Sequence, residues 1–331
     1  MSDNLKGKKI CVTGAAGFIG SHLVERLLYL GAKIKAFVHY NSAYNIGFLK
    51  EISSQYKDNL KIVSGDIREL DTMKKTLSDV EIVFHLASII SIPYSYQHPQ
   101  EVFDTNVIGT LNVLLAAKEN GVGKVIHTST SEVYGSAQYV PMDEKHPKQP
   151  QSIYSASKIG ADALVLSFYH SYNMPVSICR PFNTYGPRQS DRAVVPVIIA
   201  QALKKDEIVL GSVTGRRDFT FVTDTVEGFI KMALSDKVYG KEINLGTGID
   251  YSVEEITYKI SDCLGKKIKI RSDDLRIRPE KSEVQRLCSN NNLAKSLLGW
   301  EPQIDINAGL KMTVDWIEDN LNHYNPQEYR I

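Results

Sequence analysis

An α/β fold is expected for this chain: a doubly wound parallel sheet with a second, smaller α/β lobe beside it. Three observations predict it. Short apolar runs alternate with amphipathic stretches through the first half, and strand–helix alternation with connections of that length gives parallel strands covered on both faces. A glycine-rich turn, Gly14-Ala15-Ala16-Gly17-Phe18-Ile19-Gly20, falls between the first apolar run and the first helical pattern. The 331 residues also exceed the about 100–200 of an ordinary domain, which leaves room for a second lobe.

Taken in order, Lys9–Thr13, Lys33–Val38, Leu60–Ser64, Ile82–His85, Lys124–Thr128 and Val176–Arg180 read as buried strands. Short, nearly unbroken apolar runs suit a sheet covered on both sides. Ile19–Tyr29, Val102–Asn120 and Tyr154–Tyr172 repeat apolar residues at helical spacing. Together they predict the Rossmann arrangement. After Pro181 the regularity weakens, with Gly, Pro and Arg clustered at Tyr185-Gly186-Pro187-Arg188 and over Gly211–Arg217. Phe219–Thr223, Thr225–Leu234 and Glu242–Leu245 again resemble the first half, so the chain is expected to return to the sheet there. Ser252 with Glu255 three residues on offers a capping box for a helix to about Leu264. An amphipathic helix near Asn307–Asn320 completes the smaller lobe. Residues 1–180 with about 219–247 thus form the first lobe, and about 181–218 with 248–331 the second.

Composition excludes several classes. Lys+Arg 39 against Asp+Glu 38 gives a formal charge of +1, with no basic block or aromatic-interleaved stripe for nucleic acid. Cys11, Cys179, Cys263 and Cys288 are far apart and form no Cys-x-x-Cys pair, so they read as thiols of a reducing compartment. The eight histidines show no ligand spacing such as His-Glu-x-x-His, and no metal is expected. The first residues carry no secretory pattern, and nothing approaches the roughly 18 apolar residues of a membrane span. A cytoplasmic location is therefore expected.

The glycines at positions 14, 17 and 20 let the backbone turn tightly, approach a pyrophosphate and aim helix N-terminal amides at it. Phe18 and Ile19 lie within that cradle, and the first lobe is accordingly expected to bind a dinucleotide. An acidic residue at the end of the second strand would grip the ribose hydroxyls of NAD, but no Asp or Glu occurs between Glu25 and Glu51. His39, Asn41 and Ser42 stand there instead, polar and able to accept a 2′-phosphate, which leans the expectation towards NADP over NAD. Asp66, followed by Ile67 after the third strand, is placed to meet the adenine amino group.

Tyr154 and Lys158, four residues apart, share one helix face. The lysine charge is expected to favour tyrosinate and lower the tyrosine pKa, so that Tyr154 removes a hydroxyl proton near neutral pH. Ser129-Thr130-Ser131-Glu132 follows the fifth strand at its carboxyl end, where open α/β sheets place their ligands. Glu132 reads either as an exposed charge or as a base for a carbon next to a ketone.

These residues resemble the extended short-chain dehydrogenase/reductases that act on nucleotide sugars. The likeness runs through Gly14-x-x-Gly17-x-x-Gly20, His85-Leu86-Ala87, Asn106, Ser129–Gly135, Tyr154-x-x-x-Lys158, Arg180-Pro181-Phe182-Asn183-x-Tyr185-Gly186-Pro187, Arg217-Asp218-Phe219 and Asn244-Leu245-Gly246. More narrowly, Val38–Ser42, Arg188-Gln189-Ser190 and the stretch 278–284 resemble the branch that dehydrates nucleotide-linked N-acetylglucosamine towards legionaminic acid. The resemblance implies a tightly bound NAD or NADP, contacted also by Leu86, Ala87, Tyr154 and Lys158. It implies an internal redox cycle: Tyr154 deprotonates the sugar 4-hydroxyl as its C4 hydride leaves, Glu132 removes the C5 proton, water departs from C6, and the hydride returns to C6. Thr130 would bond the 4-oxygen and Lys158 the nicotinamide ribose. Asn183, Arg217 and Arg278 would hold the diphosphate of a nucleotide-linked amino sugar. The two long helices would pair with a second subunit, making at least a homodimer.

One departure matters. The family's hexose 4,6-dehydratases carry Asp before the Glu as the acid for the departing water, whereas this chain has Ser131, which is no acid near pH 7. A nucleotide-uronic-acid decarboxylase therefore stays open as an alternative, and so do a C4 epimerase and a catalytically silent cofactor-binding scaffold.

Overall fold

The structure, a computed structural model, describes residues 2–43, 45–273, 276 and 279–324. Its strands are β1 (Lys9–Thr13), β2 (Lys33–His39), β3 (Leu60–Gly65), β4 (Ile82–His85), β5 (Lys124–Thr128), β6 (Val176–Pro181), β7 (Asn183–Tyr185), β8 (Glu207–Leu210), β9 (Arg216–Phe221), β10 (Glu242–Leu245), β11 (Asp250–Ser252), β12 (Lys269–Ser272) and β13 (Arg286–Leu287). Seven of them form one parallel sheet in the order β3-β2-β1-β4-β5-β6-β10. The order reverses between β1 and β4, and the carboxyl ends of those two strands open the crevice in which such sheets hold ligands.

Both faces of the sheet are buried. Cys11, Phe37, Val83, Val125 and Ile178 pack beneath Met73, Leu77, Val113, Leu114 and Val165 of helices Leu70–Leu77, Gly109–Glu119 and Ile153–Tyr172. The alternate residues Ile10, Val12, Ala36, Phe84 and Ile126 meet Leu23, Leu27, Val226, Phe229 and Ile230 of helices Phe18–Tyr29 and Val222–Ala233. Period-two alternation in each strand thus feeds two helical layers, each buried aliphatic side chain contributing about 1.5–3 kcal/mol.

The return to the sheet is narrower than expected. The apolar run near Phe219 belongs to β9, which pairs with β7, β11 and β13 in a separate small sheet. Only the helix Val222–Ala233 and β10 rejoin the first lobe. The apolar pattern was read correctly as a strand, but burial alone does not say which sheet a strand joins. The Ser252 capping box forms as expected: its side chain accepts from Glu255 N, and Glu255 accepts from Ser252 N. Among the described residues no helix is long and apolar enough to cross a membrane, no group of side chains suits a metal ion, and all four cysteines are free.

The helical pattern at Val102–Asn120 is one stretch from Pro99 to Glu119 interrupted by a π-helical turn, Asp104–Ile108. Such turns occur frequently at functional sites, and this one carries the buried Asn106.

Candidate active site

The cradle is built by close approach. Gly14 has φ +68, and a Cβ there would lie 2.8 Å from Ala87 N, so the end of β4 could not pass. A Cβ on Gly20 would overlap the Gly14 carbonyl. Gly17 differs: its backbone is extended, and a Cβ would meet only Gly14 O at 3.2 Å. What Gly17 leaves bare is the start of helix Phe18–Tyr29, which has no side-chain cap. Uncapped amides and an open approach fit a pyrophosphate.

Leu86 N and Ala87 N both donate to Thr13 Oγ1, at 3.2 and 3.1 Å, tying β4 to β1 at the crevice. The Thr13 hydroxyl meets His85 Nδ1 at 2.8 Å, while His85 Nε2 lies 3.0 Å from Thr110 Oγ1, which itself donates to Asn106 O. Since Thr110 spends its proton on that carbonyl, His85 carries its own on Nε2. Burial holds this ring well below the usual histidine range, neutral.

At the end of β2, His39 is exposed, near enough to Asp66 to weigh on its charge. Asn41 is turned into its own loop, with Nδ2 donating to Asn45 O and Oδ1 accepting from Asn45 N, and Ser42 is exposed. Asp66 is engaged by Arg68, Nη2 to Oδ2 at 2.6 Å, which holds its carboxyl below the usual range. Ile67 is buried, its side chain filling the space over Gly109.

Tyr154 stands in the first turn of helix Ile153–Tyr172. Ser152 starts that helix: its Oγ accepts from Ser155 N, and Ser155 Oγ accepts from Ser152 N. Asn106 ties this helix to the loop after β4. Its Oδ1 accepts from Ile89 N and Ser88 Oγ at 2.8 and 2.9 Å; its Nδ2 donates to Ile89 O and Ser157 Oγ at 3.0 and 2.9 Å.

At the end of β5, Thr130 caps the short turn Ser131–Tyr134 by accepting from Glu132 N, and its hydroxyl lies near enough to the Tyr154 phenol to favour its ionised form. Glu132 lies close enough for its charge to weigh on the same phenol, and its Oε1 is 3.8 Å from Arg217 Nε. Ser131 is buried. Thr130, Glu132, Tyr154 and Lys158 are therefore brought together. Arg217, on β9, also reaches Glu283 at 3.4 Å. Asn183 pairs with Phe219, two residues along from Arg217, so the two share a face of the small sheet. Arg278 lies outside the described residues.

One expectation is corrected. The Tyr154 phenol is not lowered; burial and the charges of Glu132 and Asp162 push it up, against the Thr130 hydrogen bond. Both Tyr154 and Lys158 are buried, 7 % and 3 % exposed, and the cost of burying charge outweighs the neighbouring cation. Lys158 itself is lowered to about 8.

Fold and site together define an extended short-chain dehydrogenase/reductase. Residues 11–313 match the family described as GDP-mannose 4,6 dehydratase, and the chain belongs to that family of nucleotide-sugar dehydratases, epimerases and decarboxylases. It is 33% identical over 321 residues to a putative UDP-glucose 4-epimerase of Methanocaldococcus jannaschii, covering 94% of this chain and 99% of that one. UDP-glucuronic acid decarboxylase 2 of Arabidopsis thaliana is 32% identical, over 93% of this chain and 68% of its own. Among solved structures, DesIV, a dTDP-glucose 4,6-dehydratase from Streptomyces venezuelae with NAD and TYD bound, superposes with a TM-score of 0.86 at 29% identity, over 97% of this chain and all of that one.

Proposed function

We propose that this chain is a nucleotide-sugar 4,6-dehydratase that converts GDP- or UDP-linked N-acetylglucosamine to the 4-keto-6-deoxy sugar with a tightly bound NAD or NADP. The observation that carries the reading is the meeting of the Glu132 carboxylate, the Thr130 hydroxyl and the Tyr154 phenol at one strand end. A C4 epimerase has no use for that carboxylate.

When bound, the nicotinamide would supply the two-electron acceptor and donor that a hydride shift from C4 to C6 requires. Tyr154 takes the proton of the 4-hydroxyl, which Thr130 holds. The resulting ketone acidifies C5–H, and Glu132 removes that proton. With buried Ser131 unable to act as an acid, Glu132 passes its new proton to the hydroxyl leaving C6. The smaller lobe binds the nucleotide, and Arg217 moves from Glu132 and Glu283 to the substrate diphosphate, where a guanidinium makes paired hydrogen bonds. Asn183, on the same face, is the second contact. The cradle and Leu86–Ala87 hold the dinucleotide; the NADP leaning from His39, Asn41 and Ser42 is opposed by the negative charge of Asp66 beside His39.

Phe103, Ile108 and Tyr172 are 47 %, 40 % and 52 % exposed on the two long helices, which supports the expected homodimer. A cytoplasmic location accords with the free cysteines.

Purified protein incubated with GDP- and UDP-N-acetylglucosamine should yield a product lighter by one water. Loss of carbon dioxide from a nucleotide-uronic acid would replace this with the decarboxylase, which the Ser131-Glu132 order favours because no leaving-water acid is needed. Unchanged mass with inverted C4 would mean an epimerase. Bound cofactor without turnover of any nucleotide sugar would mean a silent scaffold. The mass of the cofactor released on denaturation separates NAD from NADP.

A further inference from the structure

Beneath the Tyr154–Lys158 face lies a cluster of charges that the proposed reaction does not use. Asp162 is wholly buried one turn beyond Lys158, so Tyr154, Lys158 and Asp162 descend one helix face in four-residue steps. Its Oδ2 accepts from Ser129 Oγ at 2.7 Å and Arg180 Nη2 at 2.8 Å, and its Oδ1 lies 3.5 Å from His127 Nε2. Lys148 Nζ is 3.9 Å from Oδ2. Arg180 also pairs with Glu242 and donates to the Tyr134 hydroxyl, and Lys148 meets Glu242 at 2.6 Å.

Lys158 is buried, and among the described residues nothing accepts a hydrogen bond from its ammonium. An ammonium removed from water sheds its proton unless an opposite charge lies close. The groups around it are Tyr154 and Asp162 on its own helix, His85 and His127 on neighbouring strands, Arg180 on β6, and, further out, Lys148, Glu242 and Glu132. The two histidines are neutral, Tyr154 is protonated, and Glu242 and Glu132 stand on other elements against Arg180, Lys148 and Arg217, so Asp162, though shared with Arg180, is the carboxylate on the lysine's own helix face.

We propose that Asp162 is the positioning residue for Lys158: its buried carboxylate, pinned by Ser129 and Arg180, keeps the lysine charged to hold the dinucleotide ribose and favour tyrosinate. What the charge is for rests on the function proposed above; that Asp162 maintains it does not. Lys158 sits at about 8 because burial lowers it and Asp162 opposes that fall, so loss of the one buried anion moves its titration downward.

The test measures NADH binding by nicotinamide fluorescence from pH 6 to 9, in the full chain stripped of cofactor. Wild-type affinity should fall above about pH 8. In Asp162→Asn the fall should begin below pH 7, weakening binding about tenfold or more at pH 7.5, and Asp162→Glu should restore most of it. Lys158→Met should bind weakly at every pH, with Asp162→Asn adding less than about twofold in that background. If Asp162→Asn does not fold, Arg180→Gln leaves the carboxylate and removes the cation that offsets it, and the fall should move to higher pH instead. A midpoint unmoved from wild type, whatever the change in melting temperature, would make Asp162 purely structural and overturn the proposal. Shifted binding curves without turnover of any nucleotide sugar would sink the dehydratase and leave Asp162's role standing.

Discussion

Replacing Asn106 with alanine tests whether the π-helical turn exists to join the loop after β4 to helix Ile153–Tyr172. The amide is 1 % exposed and makes four hydrogen bonds, two to Ile89 backbone and one each to Ser88 and Ser157. At a net ~1 kcal/mol per bond, with Ser88 and Ile89 half-buried and partly open to replacement water, the cost is about 3–4 kcal/mol. A chain of this length gains roughly 0.7 kcal/mol/K of entropy on unfolding, so the melting temperature should drop by about 4–6 °C. Activity should fall further than stability, by about ten- to a hundredfold in kcat/KM, because Ser157 adjoins Lys158 and Ser88 borders the cofactor crevice. Asn106→Asp should do no better: it keeps the two acceptor contacts but turns both donors into acceptors facing the Ile89 carbonyl and Ser157 Oγ. Differential scanning calorimetry and steady-state kinetics on both variants decide the matter. An alanine variant melting within 1 °C of wild type with unaltered kinetics would refute the reasoning, since it would mean that water serves this site as well as the amide does.

Three further outcomes follow from the same geometry. Gly17→Ala should fold and melt close to wild type, since its Cβ meets a single carbonyl at 3.2 Å, yet purify without cofactor, whereas Gly20→Ala, which overlaps the Gly14 carbonyl, should lose stability as well; ultraviolet absorbance and melting curves separate the two. Glu132→Gln should retain cofactor but lose about three orders of magnitude in turnover, with C5 proton exchange into deuterated water abolished; persistent exchange would assign the base elsewhere. Buried His127, lowered to about 4, stays neutral in the folded state while the unfolded chain protonates it near 6.5. Its contribution is therefore complete above about pH 6.5 and is lost as pH falls towards 4, worth on the order of 3 kcal/mol. His127→Gln should flatten that limb of a urea-stability profile, and an unchanged limb would show that other groups govern it.

The first six strands were legible because each is short and mainly apolar, and all but the edge strand β3 are largely buried, so that composition and length mark them. Helix Ile153–Tyr172 was legible for a different reason, its phenol and ammonium being spaced by one turn. What composition conceals is where a strand goes once formed: Arg216–Phe221 ends in Phe219-Thr220-Phe221, which reads like a strand of the large sheet, yet it pairs with β7, β11 and β13. The pKa of Tyr154 was misjudged because pairing was counted and desolvation was not, and two buried groups one turn apart feel the second more strongly. The cluster around Asp162 escaped notice for a related reason. Arg180, His127 and Asp162 each stand alone within an apolar stretch, and a single polar residue there reads as incidental. Their isolation was itself the signal. A charge embedded in a buried strand requires a partner from another element, and Val176-Ser177-Ile178-Cys179-Arg180 has no acid within it. Helix Ile153–Tyr172 carries one carboxylate, Asp162, placed on the face that already presents Tyr154 and Lys158 to the end of β5. Pairing the cation of one with the anion of the other joins β6 to helix Ile153–Tyr172, and that joint is what the structure contains.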